Sequence, residues 1–189
     1  PRFFYASSGS VYDSENKLNS FNEYSQLKVN PIDLYSASKI ATEKILTAFN
    51  EKIEILIGRF FFLYGLRQKE DMFIPRIINS VYRQKEIKIY NESGLIFNPT
   101  SVQFASECLI NLLEKKGKGI FNIASKEKMT LLDFVEITSR NLKIIPNLKF
   151  ISSDKSQNFL ANSKLLENTI HVNNRYYIED FIKSYIKSK

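Results

Sequence analysis

Hydrophobic and polar positions along the chain follow two different periods. Short, mostly apolar runs of strand length occupy residues 3–6, Ile53–Phe61, Ile87–Tyr90, Ile120–Ala124 and Leu148–Ile151. Longer segments carry apolar residues three or four positions apart, which predicts helices. These segments are Leu34–Phe49, Met72–Arg83, Val102–Leu113, Leu131–Leu142 and Tyr176–Ile186. Because strands and helices alternate, the pattern predicts an α/β fold built on a parallel sheet.

Individual residues predict where these helices begin and what they bury. Thr130 is a plausible N-cap for the helix that follows it, and Pro75 suits the first turn of the helix around it. Turns are predicted at Gly94 and at residues 117–119. The first long helix has an apolar stripe that predicts its sheet-facing side, formed by Ile40, Ile45, Leu46 and Phe49.

The candidate chemistry starts with Tyr35 and Lys39, which lie four residues apart near the start of the first long helix. Side chains at this spacing share one face of a helix. An ammonium next to a phenol favours the phenolate, so the pair is a usable acid and base. Taken alone, the same pair also fits a surface Tyr and Lys on an amphipathic helix.

The surroundings of this pair favour the catalytic interpretation. The run Ser7-Ser8-Gly9-Ser10-Val11-Tyr12 follows the first apolar strand, and a second strand leads into Arg59-Phe60-Phe61-Phe62-Leu63-Tyr64-Gly65. In this order and spacing the segments resemble the extended short-chain dehydrogenase/reductase family, the NAD-dependent epimerases and dehydratases that act mainly on nucleotide sugars. The resemblance implies a partial Rossmann-like parallel sheet with a small α/β substrate-binding portion.

The resemblance also implies a role for each matching residue. Tyr35 would be the acid/base that moves a proton while hydride passes to or from NAD or NADP, with NAD favoured. Lys39 would support Tyr35 and bind the nicotinamide ribose, and Ser8 would hold the reacting oxygen. Other implied contacts are to the cofactor by Ser7, Phe60 and Phe61, and to the substrate by Ser8, Ser10, Phe62 and Arg76. Ser7 is also a competitor for the role of Ser8, with strand-end hydrogen bonding as its alternative.

Alternatives stay open for three of these residues. Phe60 and Phe61 fit an ordinary strand-end core as well as the nicotinamide side of a site. Arg76 could meet a substrate phosphate, although a solvated helix position is the favoured alternative.

Departures from the family pattern reduce the number of reaction types that are expected. Family members that remove water carry Asp-Glu directly after the Ser/Thr position, whereas this chain has Gly9 and Ser10. A dehydratase is therefore not expected, which leaves an epimerase or a reductase.

Other departures concern the substrate. Phe62 stands where the family usually has an Asn that contacts the nucleotide-sugar diphosphate, and Leu66 replaces a common Pro. Gln103 and Phe104 occupy positions where an acidic residue is usual. These changes affect the expected substrate and leave Ser8, Tyr35 and Lys39 in place.

The glycine-rich turn that receives a dinucleotide pyrophosphate is missing from the sequence. The six glycines do not form that pattern, and Gly117-Lys118-Gly119 follows a helix rather than preceding one. We therefore expect the C-terminal portion of a longer enzyme, or a truncated product. The predicted division is 1–66 for the remaining dinucleotide-binding part, 67–97 for a substrate-binding segment, 98–124 for a return to the core and 125–189 for a C-terminal substrate-binding portion.

Composition excludes several other classes. The 189 residues are 43% hydrophobic and 13% aromatic, which is typical of a globular protein. The net charge of +7 is dispersed, so an anionic small molecule is a better candidate partner than nucleic acid. No membrane span or secretion signal is expected, because the sequence has no apolar segment of the required kind. No metal site is expected, because the chain has a single cysteine, Cys108, and a single histidine, His171. Cytoplasmic location and a homodimer of the longer enzyme are the remaining expectations.

Two further interpretations stay open from the sequence. A non-catalytic binding or regulatory module could keep the fold without turnover, which the altered substrate positions favour. The intact Ser8, Tyr35 and Lys39 favour the enzyme. An unrelated α/β domain with chance motifs is the third interpretation.

Overall fold

The computed structural model describes residues 2–14, 20–49, 51–115, 118–153, 158–173 and 175–187. Residue 117, which belongs to the turn predicted before the strand at Ile120, lies outside this part. The helices are α1 (Leu34–Thr47), α2 (Phe73–Tyr82), α3 (Val102–Glu114), α4 (Leu131–Leu142), α5 (Lys164–Thr169) and α6 (Ile178–Lys187), and a 3₁₀ turn covers Gly9–Val11. The longer strands are β1 (Arg2–Ser8), β2 (Glu54–Phe60), β4 (Ile87–Tyr90), β7 (Gly119–Ile123) and β9 (Leu148–Ile151). Two-residue strands are β3 (Leu63–Tyr64), β5 (Ile96–Phe97), β6 (Thr100–Ser101), β8 (Met129–Thr130) and β10 (Asn158–Phe159).

The central sheet has the order β1-β2-β7, and all of its strands are parallel. Helix α1 contacts residues such as Ser7 and Arg59, whereas α3 packs with Phe4 and Leu56. Successive side chains of a strand point to opposite faces, so α1 and α3 cover opposite faces of the sheet. The α/β fold with a parallel sheet is confirmed.

A second core lies outside this sheet. Helices α2, α4 and α6 pack around β4, with Phe97 and Phe134 fully buried between them. Strand β4 pairs in parallel with β9, and β5 pairs with both β10 and β8. The proposed four-part division of the chain stays a prediction.

Helix positions were predicted closely, with differences at some ends. Thr130 caps α4 in a capping box with Asp133, because each side chain bonds the other's backbone N–H. Helix α6 begins at Ile178 rather than Tyr176, and the first strand extends over Arg2–Ser8. No helix in the described parts of the chain has the length and apolar character needed to cross a membrane.

The predicted apolar stripe of α1 is wrong at two positions. Ile45 and Phe49 are 60% and 47% exposed, and Phe49 lies beyond the end of the helix. The side of α1 that faces the sheet instead buries Ser36, Ile40 and Glu43. Glu43 can be buried there because Arg59 and Ser7 bind its carboxylate, so a polar residue takes an inward position that the sequence pattern assigned to apolar ones.

Candidate active site

A cavity of ≈ 580 Å³ lies at the carboxyl ends of β1 and β2, beside the first turns of α1. Several residues predicted as site residues line it together, namely Ser7, Ser8, Tyr35, Lys39, Phe60 and Phe62. The sequence did not predict the remaining described part of the lining, which is Ala6, Leu63, Gln68, Met72 and Phe73. Ligand sites in parallel α/β sheets characteristically lie at this edge, outside the carboxyl ends of the strands.

Ser8 is held by the turn that it begins. Its Oγ accepts a hydrogen bond of 3.2 Å from the Ser10 N–H, and this bond caps the 3₁₀ turn at Gly9–Val11. A hydroxyl that accepts one bond still has its own proton to donate. Ser8 can therefore donate to an oxygen atom in the cavity.

Tyr35 and Lys39 lie on the first turns of α1. Asp33 caps this helix by accepting a 2.7 Å bond from the Ser36 N–H, and that bond lowers the pKa of the Asp33 carboxyl. The Lys39 Nζ donates to the Ala6 carbonyl oxygen at 2.8 Å and lies 5.6 Å from the centre of the Tyr35 ring. Tyr35 is 56% exposed, so its hydroxyl is accessible to a substrate.

Ser7 is tied to buried side chains behind the cavity. It is 3% exposed, and its hydroxyl donates to Glu43 Oε1 at 2.5 Å. Arg59 binds the same carboxylate through both oxygens, with Nε to Oε1 at 3.1 Å and Nη2 to Oε2 at 2.6 Å. The alternative considered for Ser7 was a backbone hydrogen bond, but its observed acceptor is a carboxylate.

The buried polar network continues from Arg59 to the third strand of the sheet. Arg59 Nη1 donates to the Tyr12 hydroxyl at 2.8 Å, and that hydroxyl donates to Asn122 Oδ1 at 2.7 Å. Burial raises the pKa of Tyr12 to about 12, although the nearby Arg59 charge opposes this rise. Burial disfavours the Arg59 cation, but the hydrogen bonds and charge interactions with Glu43 and Tyr12 together outweigh it, so the pKa of Arg59 is raised.

The sequence analysis missed this network, although one signal was present. Arg59 is a charged residue inside an apolar strand that was expected to be covered on both faces. A charge in that position needs a buried partner. Glu43, two helical turns after Tyr35 and one after Lys39, was the available carboxylate on the same helix.

Phe62 combines a strained backbone with a place in the cavity wall. Its φ is +36°, a left-handed conformation that is uncommon for a bulky residue. Its ring centre lies 5.0 Å from that of Phe97 and 5.1 Å from that of Phe73. An aromatic wall therefore occupies the position where the family resemblance implies an amide.

Three predicted site residues lie outside the described lining of this cavity. Phe61 is 1% exposed and packs with Tyr12 in a core. Ser10 has its Oγ buried without a hydrogen-bond partner among the described residues, and Arg76 is exposed on α2. Roles for Phe61, Ser10 and Arg76 stay predictions.

Gly9 explains one departure from the dehydratase pattern. A Cβ atom at this position would lie 2.7 Å from the Phe61 ring, which is closer than such atoms pack. An Asp at position 9 would therefore require Phe61 to move. The pairing of Gly9 with Phe61 agrees with the expectation that the chain does not carry the acidic pair of dehydratases.

Other candidate groups offer no chemistry of this kind. Burial and the nearby Glu107 raise the pKa of the Cys108 thiol to about 12, so Cys108 is not a nucleophile. His171 is exposed. Within the described residues, no cluster of three or more His, Cys, Asp or Glu side chains is placed to hold a metal ion.

A family model and several known proteins match the chain. The family model, described as the NAD dependent epimerase/dehydratase family, matches residues 1–124. The chain belongs to this family. Over 142 residues it is 28% identical to an uncharacterized UDP-glucose epimerase of Bacillus subtilis, YtcB, covering 71% of this chain and 43% of that protein. It is 39% identical to a GDP-mannose 3,5-epimerase of Arabidopsis thaliana over 186 residues, covering 87% of this chain and 48% of the relative.

A solved structure supports the same fold. The UDP-glucuronic acid 4-epimerase of Bacillus cereus, in complex with NAD, matches with a TM-score of 0.82 at 22% identity. The match covers 99% of this chain and 61% of the Bacillus protein. The chain spans about half the length of the curated relatives it matches.

Proposed function

We propose that the chain is the C-terminal, catalytic portion of an NAD(P)-dependent epimerase or reductase of nucleotide sugars. The observation that carries this proposal is the convergence of Ser8, Tyr35 and Lys39 on one cavity at the carboxyl edge of a parallel sheet. Membership of the NAD-dependent epimerase/dehydratase family supports it. The departures at Gly9 and Ser10 favour epimerisation or reduction over loss of water.

In this proposal each side chain has one task. In its deprotonated form Tyr35 accepts the proton of a sugar hydroxyl as that carbon is oxidised, and the phenol formed in this way returns the proton when the carbonyl is reduced. The Ser8 hydroxyl donates a hydrogen bond to the same sugar oxygen. The Lys39 ammonium, fixed by the Ala6 carbonyl, places its positive charge 5.6 Å from the centre of the Tyr35 ring.

The described residues fit the nicotinamide end of NAD. An ammonium has three donors, and the Ala6 carbonyl occupies one of those of Lys39, which leaves donors for ribose hydroxyls. Phe60 and Ser7 would line the ring side of the same space. NAD, when bound, supplies the group that accepts and returns the hydride.

Affinity for NAD is the first quantity to test. The sequence contains no glycine-rich motif for the pyrophosphate, so we expect very weak binding of NAD(H) or NADP(H) by the isolated chain. Calorimetry on the purified chain measures it. Micromolar affinity would reject the proposal that the chain is only part of the cofactor site.

The wall formed by Phe62 is expected to limit diphosphate binding. Replacing Phe62 by Asn introduces an amide and a residue that tolerates φ of +36° better than Phe does. We expect nucleotide-sugar affinity in the longer enzyme to rise or stay unchanged, as measured by calorimetry with a UDP-sugar. The control Phe62→Leu removes the ring without adding the amide. A large loss in Phe62→Asn would show that the ring itself binds the substrate.

We also propose that the enzyme pairs through the outward face of α1. Leu34 and Ile45 on this helix are 85% and 60% exposed, and Phe49 just after it is 47% exposed. Sedimentation of the chain should show self-association that Ile45→Lys weakens. The control Ile110→Lys, at a site of 55% exposure on α3, should have no effect. Equal sedimentation of all these proteins as monomers would contradict the proposal.

Hydride transfer is the direct test of the proposed function. The longer enzyme should either epimerise a UDP-sugar in the presence of NAD or oxidise NAD(P)H while it reduces a UDP-linked keto-sugar, and nicotinamide absorbance follows the redox step. The alternative of a non-catalytic module, which the apolar Phe62 favours, predicts sugar or cofactor binding without turnover. We place the enzyme in the cytoplasm, a proposal that localisation of a tagged copy tests.

A further inference from the structure

Successive turns of α1 bind the first strand and the 3₁₀ turn that follows it. The Ser36 hydroxyl donates to the Ser10 carbonyl at 3.1 Å, Lys39 donates to the Ala6 carbonyl, and Glu43 accepts from Ser7. Tyr35 lies on the same turns but is half-exposed. These contacts place the Tyr35 hydroxyl relative to Ser8, which follows Ser7 in β1.

Glu43 differs from Ser36 and Lys39 because its side chain binds two neighbouring strands, β1 and β2, at paired positions. Ser7 and Arg59 are register partners in the parallel pairing of β1 and β2, and both bind the Glu43 carboxylate. The side chains of Glu43 and Arg59 are 4% and 3% exposed. A shift of α1 by one residue is a translation of about 1.5 Å with a rotation of about 100°, which would break all of these bonds.

An ionic contact of this kind fixes orientation more strictly than an apolar one. Hydrophobic burial is non-directional, so an apolar contact tolerates sliding. A guanidinium that binds both oxygens of a carboxylate fixes both groups in one geometry. A buried ion pair can contribute little net stability, so stability alone does not account for the placement of Glu43 and Arg59.

We propose that Glu43 is a positioning residue, which sets α1 so that Tyr35 and Lys39 face Ser8. Its effect on turnover rests on the proposed function, whereas its effect on the position of the Tyr35 ring does not. Glu43 acts through the helix and does not itself contact the substrate in this proposal.

The test replaces the pair together, so that no charge is left alone in the interior. In Glu43→Leu/Arg59→Met we expect the Tm to stay within a few degrees of the wild type, because apolar replacement of a buried ion pair is often neutral. The chain is labelled with 3-fluorotyrosine, and Tyr35→Phe assigns the Tyr35 fluorine signal. We expect this signal to shift or broaden in the double variant in the absence of any ligand.

A second ion pair, which joins the same two strands at their other end, provides a matched control. Arg2 and Glu54 form an ion pair of 2.8 Å between β1 and β2, with side chains that are 25% and 52% exposed. Arg2→Met/Glu54→Leu makes the same substitutions far from Tyr35 and should leave its signal unchanged. Ser7→Ala, a small change that leaves the Glu43–Arg59 pair intact, provides a second variant if the double variant does not fold.

Turnover gives the second measurement. In the longer enzyme we expect kcat to fall at least tenfold in the double variant, with the substrate KM changed by less than about threefold, because the ground-state pocket is retained while the acid/base is displaced. An unchanged Tyr35 signal in both the double variant and Ser7→Ala would overturn the positioning role. Absence of hydride transfer in the wild type would reject the proposed function and leave the fluorine result to decide the inference.

Discussion

Replacing Tyr35 by Phe is expected to slow hydride transfer in the longer enzyme by about two to four orders of magnitude. The substitution keeps the ring and removes the hydroxyl, which is the proposed acid/base. Tyr35 is 56% exposed and no described residue forms a hydrogen bond with its hydroxyl, so its loss should leave stability almost unchanged. The measurement is a single-turnover rate from the nicotinamide absorbance.

We expect turnover to fall most in Tyr35→Phe, less in Lys39→Met and least in Ser8→Ala. Lys39→Met should reduce both the rate and cofactor affinity, because one ammonium serves both tasks. Ser8→Ala should be milder, since a neutral hydrogen bond contributes about 1 kcal/mol and a water molecule can replace it. The control Tyr24→Phe alters a Tyr that is 92% exposed and lies outside the described cavity lining. Turnover of Tyr35→Phe near that of the wild type would reject the dehydrogenase-type mechanism and favour a binding module.

The sequence was sufficient to predict that Ser8, Tyr35 and Lys39, the proposed catalytic residues, lie together, because their spacing is local. Tyr35 and Lys39 share a helix face at a separation of four, and Ser8 follows directly from the end of a strand. Parallel strands bring such ends to one edge of a sheet, so these residues could be placed together without a structure. The cavity contains all three.

The rest of the cavity depends on contacts between distant segments. Gln68, Met72 and Phe73 reach it through a connection between β3 and α2 that carries no motif. The positive φ of Phe62 could not be expected either, because a bulky residue ordinarily avoids that conformation. Tertiary packing decided both features.

The misassigned face of α1 has a different cause. Periodicity ranks residues by hydrophobicity, so the predicted stripe included Ile45 and Phe49 and did not include Glu43. Pairing with Arg59 reverses this order, because a carboxylate with its hydrogen bonds satisfied can be buried. The exposed apolar residues are then available for the subunit contact that we propose.

The largest expected effect on stability concerns Arg59. Arg59→Met would leave the Glu43 carboxylate buried without its cation, and such a loss costs about 3–5 kcal/mol. The side chains of both residues are less than 5% exposed, so solvent cannot replace the guanidinium without opening the helix–sheet contact. Urea unfolding of the isolated chain measures the free energy directly.

Two further variants separate the unpaired charge from lost packing. Glu43→Leu added to Arg59→Met should restore most of the loss, because it removes the buried charge that the single variant creates. Arg83→Met breaks an ion pair whose side chains are 50% and 58% exposed, and it should cost less than about 1 kcal/mol. If Arg59→Met were no more destabilising than Arg83→Met, Glu43 would have reached solvent. The α1–sheet contact would then be loose enough for Tyr35 to move relative to Ser8, and the ion pair could not be what holds the catalytic residues together.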